Sequence, residues 1–218
     1  MRRPFPYLAE ALTLVALIAA PFILPHLGFT PSTINRILIW GMVGIGFDLL
    51  FGYTGLLSFG QSAFFGSGGM FAAYLLTQTS MQNTLLALLI GTVAAGVLGY
   101  LVGLVALRRT GIYFAMITVA IAEVFFFLEF NPLSAYTGGE NGLQGFPRPS
   151  LLGLDFSNSL VRYYFCLALF TLGFYVAYRA VRSPFGKAQQ AVRDNEQRAQ
   201  SIGYNPQRFK FTAFLISA

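Results

Sequence analysis

The chain has 218 residues, 56% of them hydrophobic and only 10% charged, and its 14 Lys and Arg outnumber its 8 Asp and Glu to leave a formal charge of +6. With a mean hydropathy of +0.63 it exceeds what a soluble surface tolerates, so the composition describes an integral membrane protein. A single cysteine excludes a disulfide framework or a cysteine metal site, and the basic residues gather between apolar runs, where membrane orientation accounts for them better than nucleic acid does.

A spanning helix needs about 20 mainly apolar residues, and runs that reach or approach this length lie at roughly 7–25, 36–51, 55–77, 84–107, 111–130 and 161–181. The first follows Arg2 and Arg3, as a signal peptide would. Ala19-Ala20-Pro21 is nonetheless a poor cleavage site, and the apolar run from Ala11 to Leu24 is long for a signal, which favours a retained helix. His26, at the end of that span and without carboxylate neighbours, reads as interfacial rather than as a metal ligand, and Cys166 as apolar filler.

The second span is short and carries Asp48, after which Gly52-Tyr-Thr-Gly55 interrupts the apolar run ahead of Ser58, Gly60, Gln61 and Ser62. Broken, glycine-rich backbone at membrane depth is tolerated where it is buried in protein or lines a watery cavity, which makes Asp48, Ser58 and Gln61 substrate-path candidates. A tight cytoplasmic turn with Asp48 at the interface is the other reading. Both stay open. In the fourth span Gly91, Ala95, Gly99 and Gly103 recur every four residues, a small-residue ridge for a neighbouring helix. Glu123 stands near the middle of the fifth span, where an unpaired carboxylate costs a few kcal/mol and normally faces the bundle or a cavity. It either bonds a neighbouring helix or belongs to the transport route.

Asn131 to Leu160 forms a long connection with the turn-rich Thr137-Gly-Gly-Glu-Asn-Gly142, which reads first as an ordinary loop, with reception of a partner or capping of a pathway as the functional alternative. After the sixth span a basic segment runs to Lys210. Ser183-Pro184 is a helix start and Gly203 a helix C-cap, which predicts a short helix lying on the membrane within 183–206. Contact with anionic lipid is one use for its charges; the interspersed Asp194, Asn195, Glu196 and Gln197 favour a protein partner.

Placing the amino terminus in the cytoplasm puts all the basic residues inside except Arg36, Arg148 and Arg162. Six spans with both ends inside is therefore the economical topology. No G-x-x-x-x-G-K-[ST] phosphate loop occurs, so by this motif the chain does not itself bind and hydrolyse ATP.

Four stretches in order resemble the permease subunits of branched-chain amino acid ABC transporters of the LivM-like branch: Gly52-Tyr-Thr-Gly-Leu-Leu-Ser-Phe-Gly60 with Ala63-Phe-Phe-Gly66, Gly111-Ile-Tyr-Phe-Ala-Met-Ile-Thr118, Thr137-Gly-Gly-Glu-Asn-Gly-Leu143, and Ser183-Pro-Phe-Gly186 followed by Arg193-Asp-Asn-Glu-Gln-Arg-Ala199 and Gly203-Tyr204. The resemblance covers nearly the whole chain. It implies an all-α polytopic membrane bundle in which 1–218 is one incomplete permease domain, since family members continue through more helices beyond the short apolar run 209–218. It also implies a second permease subunit, two cytoplasmic ATP-binding subunits that use the ATP, a periplasmic substrate-binding protein and a place in the bacterial inner membrane. No cofactor is expected on this chain. In segment 183–206, Gly186, Arg193, Asp194, Glu196, Ala199 and Gly203 become the ATPase-docking candidates; Ala199 and Gly203 keep the four-residue spacing of the importer EAA motif, while Gln197 takes its leading Glu position. Gln61 stands where the family often has His. Urea-type and short-amide permeases share the architecture, and an ion-coupled transporter working through Asp48 and Glu123, or a noncatalytic membrane scaffold, are the readings from other classes.

Overall fold

The computed structural model describes residues 8–78, 83–144, 150–151 and 154–218. It is helical almost throughout; its strands are the two-residue pieces Ser150–Leu151 and Leu154–Asp155, paired antiparallel. Helix α1 (Leu8–Ile23) carries Pro21 and ends in a 3-10 turn, Leu24–Leu27, closed by Gly28 in the left-handed conformation. Thr30 caps α2 (Pro31–Asp48), its hydroxyl accepting from Thr33 N at 3.4 Å with proline at the first helical position. α2 passes directly into a π-helical turn, Leu49–Tyr53. After an extended strap come α3 (Gln61–Gln78), α4 (Thr84–Ala106, capped by Asn83) and α5 (Ile112–Phe130). A short α6 (Ser134–Thr137) precedes α7 (Ser159–Arg182), and α8 (Pro184–Asp194), α9 (Glu196–Ser201) and α10 (Pro206–Ser217) follow.

Six spans were expected. Among the described residues, four helical stretches are long and apolar enough to cross a bilayer: Pro31–Tyr53, Thr84–Ala106, Ile112–Phe130 and Ser159–Arg182. The other two expected spans coincide with shorter apolar helices. In the first, the apolar stretch among the described side chains is Leu12–Leu27, and residues 1–7 lie outside the described residues. α3 begins at Gln61 rather than near residue 55, since the strap takes the intervening residues, and its Gly66, Ser67, Gly68 and Gly69 lower its hydropathy.

The helices form two packed groups. In one, α1 and α7 close on α2 around Ile34, Leu38, Tyr163 and Leu167, with Cys166 partly buried beside them. In the other, α3, α4, α5 and α10 enclose Phe64, Phe114 and Phe214, and the rings of Phe64 and Phe114 meet Phe214 edge-on at 5.6 and 6.0 Å. Leu50 and Leu56 from the helix break belong to this second core, so the break is where the groups join.

The ridge on α4 serves two neighbours rather than one. A Cβ on Gly91 would lie 2.6 Å from Gly68 O, and one on Gly68 would lie 3.0 Å from Ala95 Cβ, so the Gly91 and Ala95 half receives α3. The other half receives α10: a Cβ on Gly99 would meet Ala218 at 2.6 Å and one on Gly103 would meet Phe211 and Phe214 at 3.1 Å. The first part of the long connection, 131–144, packs back on the bundle. Thr137 is buried, its hydroxyl donates to Glu129 O at 2.6 Å, and Tyr136 packs on Tyr74. Pro147 and Pro149 lie outside the described residues.

Candidate functional site

The chemistry concentrates where the interrupted helix meets the segment after α7. Leu50 O accepts from the Thr54 hydroxyl at 2.6 Å and from Leu56 N at 3.3 Å, and Phe51 O accepts from Gly55 N at 3.1 Å. Gly55 turns the chain at φ +72, a conformation that glycine adopts without steric penalty. Asp48 is exposed, and its carboxylate folds back over Gly52, with Oδ1 2.7 Å from where a Cβ would stand. A side chain at position 52 would displace this exposed carboxylate rather than any backbone.

The strap then enters the bundle. Phe59 N donates to Thr118 Oγ1 at 3.2 Å, and Thr118 Oγ1 donates in turn to Ala115 O at 2.8 Å. Thr118 lies six residues along α5 from Ile112, so the strap reaches about 9 Å up that helix at the usual rise. Ser58 is buried and accepts from Gly60 N at 3.2 Å. Gln61, at the start of α3, donates from Nε2 to Ser217 Oγ at 2.7 Å, and Ser217 donates to Gly46 O at 2.7 Å, tying α3, α10 and α2 together. The Gln61 amide oxygen is buried with no partner among the described residues. Ser58 and Gln61 thus sit together in the interior, while Asp48 marks the rim of the same break.

Glu123 does not join them. It is exposed on the outer side of α5, on a face with Met116, Val119, Ala120 and Phe127, and no described residue bonds it. The carboxylate that ties two spans is Glu129, which sequence reasoning passed over: Ser67 Oγ donates to its Oε1 at 3.0 Å and Gly66 lies beside it. A pair 62 residues apart in the chain leaves no local trace.

The segment after α7 is two helices, not one. Ser183 caps α8, Pro184 takes the first helical position, and Gly186 is pressed on Val181 O, as the motif Ser-Pro-Phe-Gly permits. Asn195 breaks the run in an extended conformation and caps α9, accepting from Arg198 N at 2.9 Å. Gly203, at φ +93, closes α9 as expected for a C-cap, with Tyr204 N donating to Ala199 O at 3.1 Å. Ala199 is buried and unavailable to a partner; Asp194, Glu196 and Gly203 are exposed. Ile202 stands 68% exposed beside Gly203, an apolar tip that composition alone did not mark. Glu196 accepts from Lys210 at 2.7 Å, joining α9 to α10, and the Lys210 ammonium is nearly buried.

Arg193, its side chain about half exposed, lies along the surface of the break and donates to Gly52 O, its aliphatic stem against Gly55 and its Nε 3.5 Å from Asp194. Close by, an open groove of about 530 Å³ runs between α4 and α10, with Arg108, Arg208 and Phe211 in its walls. Arg108, the helix break and the α8–α9 pair therefore occupy one end of the molecule. Among the described residues no three His, Cys, Asp or Glu approach closely enough to hold a metal ion.

The architecture is a helical bundle with four helices able to cross a membrane and an interrupted helix under the α8–α9 pair, as a multi-pass membrane protein has. The family pattern described as "Branched-chain amino acid transport system / permease component" matches residues 30–218, and the chain belongs to that family. It is similar to the high-affinity branched-chain amino acid transport system permease protein LivM of Salmonella typhimurium, at 32% identity over 94% of this chain, and to LivM of Escherichia coli K12, at 31% identity over the same share. The alignments cover 53% of each relative, so the chain spans about half the length of the curated relatives it matches. No solved structure matches the chain at a significant level.

Proposed function

We propose that this chain is part of the membrane-spanning subunit of an ATP-driven importer for branched-chain amino acids, working in the bacterial inner membrane with its amino terminus in the cytoplasm. The observation that carries the reading is the α8–α9 pair, a polar platform with an apolar tip seated on the interrupted helix. It presents its charged side chains and all its amides but Gln189 outward, as a site that receives a separate ATPase subunit and passes its movement on would. The break beneath it, with Ser58 and the half-satisfied Gln61, is the proposed wall of the substrate path.

Glu123 supports pairing with a second permease subunit. A carboxylate exposed in mid-span on an otherwise apolar face is costly in lipid, and a companion helix offering a donor removes that cost. ATP belongs to the cytoplasmic subunits, and a periplasmic binding protein delivers substrate to the opposite end.

The test is reconstitution of the full-length protein with its copurifying subunits in proteoliposomes. Uptake of labelled leucine is expected only with ATP and binding protein present, and urea or short amides should not compete. Uptake by the isolated permease on an imposed ion gradient would instead establish the secondary-transporter reading.

A further inference from the structure

We infer that Arg193 is a positioning residue that links the cytoplasmic helix α8 to the helix break, so that movement of α8 resets the backbone at Gly52–Gly60. The first ground is an accounting of backbone acceptors. At the end of the interrupted helix Leu50 O and Phe51 O find donors within the turn itself, whereas Gly52 O receives no backbone N–H among the described residues. A helix end leaves carbonyls unpaired, and a cation there both satisfies one and complements the negative end of the helix dipole. Arg193 does both from a different element, 141 positions away in the chain.

The second ground is steric. The Arg193 stem lies so near Gly55 that a Cβ there would stand 2.8 Å from Arg193 Cγ, and Gly55 itself sits at φ +72. The turn that starts the strap is shaped around this side chain. A shift of α8 larger than the Arg193 side chain can absorb therefore either carries the turn with it or breaks the Gly52 bond.

A third ground is that this interface is not otherwise saturated. Gln189, one helical turn before Arg193 and on the same side of α8, is fully buried with neither amide atom partnered among the described residues. A buried amide without partners is penalised in the present arrangement, and a second position of α8 that offers it a donor or acceptor becomes correspondingly accessible. Arg193 is the polar contact that holds α8 to the break meanwhile. The strap it anchors carries Ser58 and leads into Gln61, so the contact sits between the docking platform and the proposed path.

This inference rests on the ATPase-docking reading, and the experiment separates the two. In the full-length complex, Arg193→Met keeps the stem that packs over Gly55 and removes the donor, while Arg193→Lys keeps a charge on a single-point donor. Amide hydrogen exchange, which needs no ATPase activity, is expected to be about tenfold faster at 52–60 in Arg193→Met, unchanged in α4, and intermediate in Arg193→Lys. In proteoliposomes holding equal amounts of assembled complex, leucine imported per ATP hydrolysed is expected to fall about tenfold in Arg193→Met and to recover partly in Arg193→Lys. Parental exchange and parental coupling in Arg193→Met would overturn the inference. If Arg193→Met fails to assemble, parental values of both quantities in Arg193→Lys would do the same. A parental complex with no ATP-driven uptake would instead remove the docking reading, leaving the exchange measurement to decide the link from Arg193 to Gly52.

Discussion

At position 91 of α4 a missing side chain decides a helix contact. Gly91 faces a backbone oxygen, Gly68 O, and the Cβ of Ala72, neither of which can swing aside as a flexible side chain would. Replacing Gly91 with Leu is expected to destabilise the full-length permease in detergent by about 1–3 kcal/mol through overpacking, read as a lowered melting temperature. Unchanged stability would disprove the close α3–α4 approach. This part of the bundle was legible, because a four-residue repeat of small residues has one structural meaning in a membrane helix. What the repeat withheld was the identity of the neighbours: it was read as one surface, yet Gly99 and Gly103 meet α10. Glu123 and Glu129 teach the same lesson about polar residues. Mid-span position singled out Glu123, but pairing is a tertiary property, and it is Glu129 that finds Ser67.

Among the elements, those with local rules came through best. Ser183-Pro184 and Gly203 mark boundaries in the structure as the capping rules predict. The division of the segment into α8 and α9 rests on Asn195, a strong cap in its own right that the polar residues on either side of it obscure in the sequence. The π-helical turn at Leu49–Tyr53 has no signature in spacing and follows from the packing of Leu50 and Leu56 into the core. The order of elements also places the α8–α9 pair and the Gly138–Gly142 turn at opposite ends of α7. A cysteine at Lys187 is therefore expected to resist an impermeant maleimide in intact cells, while one at Glu140 is labelled. Labelling in the reverse pattern would invert the proposed orientation, in which the basic residues face the cytoplasm.

For the molecule as a whole, the docking reading places its weight on a small exposed surface. Sequence spacing pointed to Ala199 and Gly203, but Ala199 is sealed inside the helix pair, and a bulky residue at Gly203 would strain a left-handed turn before it met any partner. Ile202 separates these effects. Its backbone at φ −94 is ordinary, its side chain is 68% exposed, and it follows directly on the exposed polar residues Gln200 and Ser201 of α9. That is the arrangement of an apolar anchor next to a polar surface, the kind of residue that carries a large share of binding energy when a groove receives it. Replacing Ile202 with Asp in the full-length permease is expected to lower the amount of ATPase subunit recovered with it by about 10-fold or more, leaving membrane insertion and thermal stability as in the parent. Ile202 is two-thirds exposed, so the substitution removes little packing from the fold. A lipid-facing tip would respond differently: the charge would loosen the segment from anionic vesicles while the ATPase stayed bound. Full recovery of the ATPase with the Ile202→Asp protein would therefore move the docking surface away from the α9 tip.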